Sequence, residues 1–285
     1  MNRGRIVVLF HENEVSPIRY VIHHLAGFWR EDGHRVDYVM GTKRFVPADA
    51  VIVHVDLSIV PQSYLDFAAR YPIVINGRVT DIRKSRVSDQ LVRLGDGWAG
   101  PVIVKSDLNY GGLPERQLNV SPLKRRLSRL GRLVRRVTGR SGAERSPVLD
   151  YGLFESIDEV PDEVFDEPRL VVERFLPEIE DGAYHMRIVQ FLGDRYRCTR
   201  LRSEHRIIKA DRSSSTEDAE PHPEVFGWRE RFGLDYGKLD YVVHEGTPVL
   251  LDINKTTGAT SQYRDDSLLA ANRRYLAYGL YDYLA

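Results

Sequence analysis

One stretch near the C-terminal end constrains this chain more than any other: Leu239 to Gly258, LDYVVHEGTPVLLDINKTTG. It reads as two strands around a tight turn, Tyr241 to His244, then Glu245-Gly246-Thr247-Pro248, then Val249 to Ile253. Asp240 begins the first strand, and Asp252 and Asn254 close the second. Side chains alternate along a strand, so Asp252 and Asn254 share a face and Ile253 takes the other. In-register pairing brings Asp240 beside them. Three oxygen-bearing side chains then converge next to a loop of Lys255, Thr256, Thr257 and Gly258. Magnesium takes hard oxygen ligands and completes its shell with substrate phosphates. Asp and Asn are also ordinary turn formers at hairpin ends. Against that stands the apolar run VLLDI, beside which unpartnered carboxylates are costly.

Upstream, the first 78 residues alternate short apolar strands with helical spacing. Ile6 to Phe10, Val36 to Met40, Ala50 to Val55 and Ile73 to Ile75 read as strands. Pro17 to Arg30 and Pro61 to Arg70 read as helices, the first opened by Ser16-Pro17 and ended by Gly33. Its apolar face is Ile18, Val21, Ile22, Leu25 and Phe28. Such alternation predicts a parallel α/β sheet, which binds ligands outside the carboxyl ends of its strands. Those ends carry His11, Glu12 and Asn13, then His54 and Asp56, then Asn76, Gly77 and Arg78.

The spacing predicts a third helix over Thr80 to Leu94, with Lys84 in its first turns. A strand, Gly100 to Lys105, then runs into SDLNYGG. A lysine among β-branched residues followed by a glycine-containing loop suits a phosphate; a lysine on an edge strand gives the same pattern. No GKS or GKT is present, so this is not a Walker loop. Residues 121–147 are strongly basic. Leu123, Leu127, Leu130, Val134 and Val137 fall on one helical face, and Arg125, Arg126, Arg129, Arg132, Arg135 and Arg136 cover the rest. The segment is either a solvated helix packed by its leucines or a positive surface for an anion, an acidic partner or a membrane face. Strands follow at Leu170 to Phe175, His185 to Leu192 and Arg195 to Leu201, then a polar serine-rich connection. Trp228 to Phe232 is a short helix. Asp266 to Leu284 is a terminal helix with Leu268, Leu269, Leu276 and Leu280 inward.

Composition narrows the class. With 285 residues the chain can bury one large or two ordinary cores. A formal net charge of zero gives no global pull toward nucleic acid. A single cysteine, Cys198, excludes an internal disulfide and a cysteine-held metal cluster, and fits a cytoplasmic location. The first residues are too short an apolar run for a signal peptide, and no stretch has the length of a membrane span.

Lys84, Lys105, LVVERFLPEIEDG and LDYVVHEGTPVLLDINKTTG, in this order, resemble the ATP-grasp superfamily, most of all the branch with glutathione synthetase, D-alanine–D-alanine ligase and the ribosomal-protein glutamate ligases. The resemblance runs from about residue 73 onward. It implies an α/β chain with an N-terminal Rossmann-like domain over residues 1–78 and an ATP-grasp domain over 79–285, with a basic insertion at about 121–147. By the same resemblance, Lys84 and Lys105 reach the phosphates of ATP. Glu173, Arg174 and Leu176 form the hinge over the adenine, and Glu180 takes the ribose hydroxyls. Asn109 to Leu113 is the glycine-rich cover, and Asp240, Asp252 and Asn254 hold Mg2+. The family pattern is Glu-x-Asn where this chain has Asp252-Ile253-Asn254, a shorter arm that bears on the number of ions.

The expected activity is ATP-dependent ligation of a carboxylate to an amine through an acyl phosphate, on small-molecule or peptide substrates. Arg187 and Arg200 are the candidates for gripping the acyl phosphate or the carboxylate, and Lys255 and Thr257 for positioning the acceptor. A kinase on the same scaffold, or a nucleotide-sensing protein that docks through its basic segment, uses the same nucleotide residues.

Overall fold

The computed structural model describes residues 4–119, 151–208, 213–259 and 267–284. The basic segment 121–147 lies outside the described residues.

Four parallel strands, β1 (Arg5–Phe10), β2 (Arg35–Met40), β3 (Ala50–Val53) and β4 (Ile73–Ile75), form a sheet in the order β2-β1-β3-β4. The apolar run of β1 is buried on both faces, as a parallel sheet requires. Ile6, Val8 and Phe10 pack with helix α1 (Val21–Glu31); Val7 and Leu9 pack on the other side with α2 (Gln62–Ala68). The first core also takes in Leu192, Tyr236, Leu276 and Leu280 from the C-terminal half.

That half has two antiparallel sheets. β5 (Val102–Ser106) lies between β6 (Gly152–Phe154) and β7 (Leu170–Arg174). Lys105 is therefore on a central strand rather than an edge. The larger sheet runs β11-β10-β9-β12-β13, with β8 (Glu178–Glu180) also paired to β9. Its members are β9 (Ala183–Leu192), β10 (Arg195–Ser203), β11 (Ser215–Ala219), β12 (Tyr236–His244) and β13 (Thr247–Asn254).

Three helix expectations need correction. Of Thr80 to Leu94, only α3 (Lys84–Val87) is helical. Tertiary hydrogen bonds compete with the helix: the Ser85 amide donates to Asp107 Oδ1, the Val92 amide to the Val172 carbonyl, and Leu91 bridges to Glu173. The first helix is interrupted at Tyr20, which is extended and bridges to Gly258, while the Val21 amide donates to the Thr257 carbonyl. Pro17–Arg19 is a separate 3-10 turn, and Ile18 is exposed. The terminal helix runs Ser267–Ala277 and then tightens at Tyr278–Leu280. At Gly279 a Cβ would lie 1.8 Å from the Leu192 carbonyl oxygen, so only glycine lets the helix seat on β9. Leu276 and Leu280 are buried, but Leu268 faces solvent. Among the described residues no helix is long and apolar enough to cross a membrane.

Candidate active site

The β12–β13 hairpin pairs Asp240 with Asp252 and Lys238 with Asn254. Directly paired residues share a face, so four polar side chains project together. The register shifts between Asp240 and Tyr241. Such a bulge bends the strand and re-aims side chains. Lys238 Nζ lies 2.9 and 2.7 Å from the Asp240 oxygens. Lys84 reaches the same face from α3, its Nζ 3.2 Å from Asp252 Oδ1. Lys105 Nζ is 2.6 Å from Glu173 Oε2, and both side chains are buried.

Burial opposes the charge of Lys84, yet Asp252 and further anionic neighbours more than offset it, and its pKa is raised. Burial also raises the pKa of Asp240, with Lys238 pulling the other way. The face thus carries two aspartates, each with its own lysine. Lys238 was missed from the sequence, although it stands two residues before Asp240, on the same face of the same strand.

Between the two antiparallel sheets lies a cavity of about 150 Å³. Lys84, Lys105, Asp240 and Asp252 line one end of it, and Arg174, Phe175, Leu176 and Pro177 another part of the wall. Arg206 reaches over from the segment after β10, its guanidinium 5.1 Å from the Phe175 ring. The Glu173 side chain is turned to Lys105, and the Arg174 guanidinium lies 5.1 Å from the Trp98 ring.

No protein-family model and no curated protein matches the sequence. Solved structures do match its shape. An ATP-grasp ligase, PsnB, complexed with a phosphomimetic variant of a minimal precursor, Mg and ADP, has a TM-score of 0.52 at 14% identity, covering 97% of this chain and 98% of its own. D-cycloserine synthetase DcsG gives 0.51 at 11%, covering 98% and 100%. D-alanine–D-alanine ligase from Bacillus anthracis complexed with ATP gives 0.50 at 11%, covering 99% and 97%. This chain has the ATP-grasp fold.

Within that ATP-grasp frame, some expected site residues lie elsewhere. Arg187 pairs with Tyr241 and Arg200 across the sheet, whereas Asp240 pairs with Ile188. Alternation therefore puts Arg187 and Arg200 on the reverse face from Asp240 and Asp252. There Arg187 Nη1 is 2.6 Å and Arg200 Nη2 2.9 Å from Glu178, a buried carboxylate that also accepts the Val243 amide. The residue type fitted the expectation, but the strand parity did not. Glu180 is exposed and bonded to Arg200, outside the lining of the cleft.

The segment after β5 was expected to cover the phosphates. Instead Asn109, Tyr110, Leu113 and Gln117 line a second cavity, of about 520 Å³, together with Arg19, Tyr20, Asp56, Asn254 and Thr256. The segment is fastened to the N-terminal sheet. The Asn109 amide donates to Ser58 Oγ (2.9 Å), the Ser58 amide to Glu115 Oε1 (2.7 Å), and Asn13 Nδ2 to the Leu118 carbonyl (2.7 Å). Leu118, at the end of α4 (Leu113–Leu118), is buried with Leu9 and Tyr64. Lys255 and Thr257 turn away from this cavity into the junction. Lys255 is fully buried and donates to the Val55 carbonyl, and burial pulls its pKa down to about 8. Thr256 is the loop residue facing the cavity; its Oγ1 donates to Asp56 Oδ1 at 2.6 Å.

Proposed function

We propose that this chain is an ATP-dependent ligase that joins a carboxylate to an amine. The observation that carries the reading is the convergence of Lys84, Lys105, Asp240 and Asp252 at one end of a single cleft. Phosphoryl transfer asks for charge neutralisation and positioning rather than a protein nucleophile. The two lysines offer positive charge to the phosphates. At about 150 Å³ the cavity is below the 300–1,000 Å³ typical of pockets for whole small molecules, so it suits the base end of a nucleotide, beside Phe175 and Leu176.

The donor set fits magnesium. Asp240 and Asp252 are hard oxygen donors on one face. Asn254 Oδ1 adds a third oxygen on that face, accepting the Thr256 amide at 2.8 Å with Thr256 Oγ1 at 3.4 Å. These three residues would hold the ion, which when bound neutralises charge on the phosphates. The neighbours whose structures contain ATP, or Mg and ADP, support the same assignment.

In the proposed reaction a donor carboxylate oxygen attacks the γ-phosphorus, the bond to the β-phosphate oxygen breaks, and ADP leaves. The resulting acyl phosphate is attacked at its carbonyl carbon by an amine. The C–N bond forms as phosphate departs, and the amine's extra proton is lost. Lys238, held on Asp240, offsets part of the burial that opposes the Asp240 charge.

A screen of carboxylates with Mg-ATP, read as ADP release and as hydroxamate formation in hydroxylamine, tests the proposal. Hydroxamate in step with ADP is the expected result. A stable phosphate ester accumulating in step with ADP, with no free phosphate, would mean a kinase.

A further inference from the structure

A third cavity, of about 270 Å³, opens between α1 and the terminal helix Ser267–Ala277. Among the described residues it shares no lining side chain with the two cavities above. Arg273 stands in its wall and is only 8% exposed. One turn further along the helix, Leu276 and Ala277 take the same inward face, where an apolar side chain is the ordinary choice. The next residue, Arg274, turns to Glu31 (2.6 Å) and Asp32 (2.8 Å). Arg273 has no hydrogen bond or ion pair to any described residue. A guanidinium stays charged in a protein, and burying it unanswered is costly. That desolvation pulls the Arg273 pKa below the ordinary arginine value.

The rest of the wall describes what would answer it. His23 Nδ1 is 3.0 Å from the Tyr38 hydroxyl, which fixes the ring. Burial lowers the His23 pKa, and the charge of Arg30 adds to the effect. A neutral imidazole that accepts on Nδ1 presents an N–H at Nε2. Glu31 is the carboxylate of the lining; Arg274 answers its charge, yet it still repels a second negative charge on a ligand. At Gly27 a Cβ would meet nothing within 4 Å, so the missing side chain leaves open space, and Phe28 adds apolar surface beside it. We propose that this cavity binds a small monocarboxylate, with both oxygens on the Arg273 guanidinium, His23 Nε2 as a further donor and the carbon chain against Gly27 and Phe28. The planar fork of arginine matches a carboxylate bidentately. A volume of about 270 Å³ falls just under the 300–1,000 Å³ of pockets for whole small molecules, which suits an acid of a few carbons. Nothing in this assignment depends on the ligase reading.

The test titrates the full chain calorimetrically with acetate, butyrate and benzoate at constant ionic strength in chloride. Inorganic phosphate and butyramide serve as the doubly charged and uncharged arms. We expect at least one carboxylate to bind at least tenfold more tightly than both arms. Two variants then locate the site from opposite helices. Arg273→Met keeps the length of the side chain and removes its charge. Gly27→Leu fills the open space and leaves Arg273 in place. Each should weaken the carboxylate at least tenfold, with circular dichroism and a cooperative melt as the check on folding. Arg273→Met should melt no lower than the wild type, because a buried charge without a partner is replaced by an apolar chain. The proposal is overturned if no carboxylate binds, if phosphate or the amide binds as tightly, or if either folded variant leaves the carboxylate Kd unchanged. An unchanged Kd would place the carboxylate elsewhere, as a donor substrate in the first cavity would be.

Discussion

Replacing Lys105 by methionine should do two separable things. Lys105 and Glu173 form a pair whose side chains are 8% and 4% exposed, and Glu173 Oε1 is buried without a partner. Removing the ammonium strands a carboxylate in the interior, a change that costs about 3–5 kcal/mol. For a chain of this size that lowers Tm by roughly 10 °C. The lysine also faces the cleft, so nucleotide affinity should fall by about 10- to 100-fold, the worth of one hydrogen bond between charged groups. The double variant Lys105→Met with Glu173→Met removes the stranded charge and should recover most of the Tm. It should not recover nucleotide binding. The assay is thermal denaturation of both variants and the wild type, with and without Mg-ATP. At 100 times the wild-type Kd the nucleotide adds about 2.7 kcal/mol to the wild type, and at the same concentration this increment should shrink to about 0.4–1.4 kcal/mol in the double variant. If the double variant regains the ATP-dependent shift, Lys105 is a structural partner of Glu173 alone.

Asp252→Asn should abolish turnover at saturating magnesium while circular dichroism stays unchanged; full activity would remove Asp252 from the metal set. Glu178→Gln should cost about 2–4 kcal/mol in denaturant unfolding, because Arg187 and Arg200 both bind it on the reverse face, and should leave KM for ATP unaltered. A large KM change instead would return those arginines to the active site. His54 is fully buried, and burial pulls its pKa from 6.5 down to about 3. The unfolded chain therefore takes up this proton first, and stability falls as pH drops from 6.5 toward 3. Between pH 7 and 5 the wild type should lose about 2 kcal/mol more than His54→Phe. Equal losses would show that His54 is hydrated. Gly279→Ala should destabilise strongly, as judged by Tm, since its methyl group meets the Leu192 carbonyl.

The parts legible in the sequence were those with a strict period. The run Ile6 to Phe10 and its successors announced the parallel sheet. Alternation in the hairpin correctly paired Asp240 with Asp252. Arg187 and Arg200 show the limit of that method. Parity within a strand is readable, but parity between strands depends on register, and one residue of shift inverts the face. The Thr80 to Leu94 helix failed differently. Its propensity was adequate, but Asp107, Val172 and Glu173, distant in sequence, offered the backbone better partners. The Arg19, Tyr20, Asp56 and Thr256 cluster joins residues up to 237 positions apart, and no local pattern announces it.

The fastening of the Asn109–Leu118 segment to the N-terminal sheet has an evolutionary consequence. Among the described residues, every one that lines the first cavity lies at or beyond Lys84. The second cavity draws Arg19, Tyr20 and Asp56 from loops at the ends of the first sheet, and much of its opposite wall from the 109–117 segment bound to that sheet. Loops at strand ends tolerate substitution with little effect on the core beneath them. Drift in those loops can thus reshape the second cavity while every side chain lining the first stays unchanged.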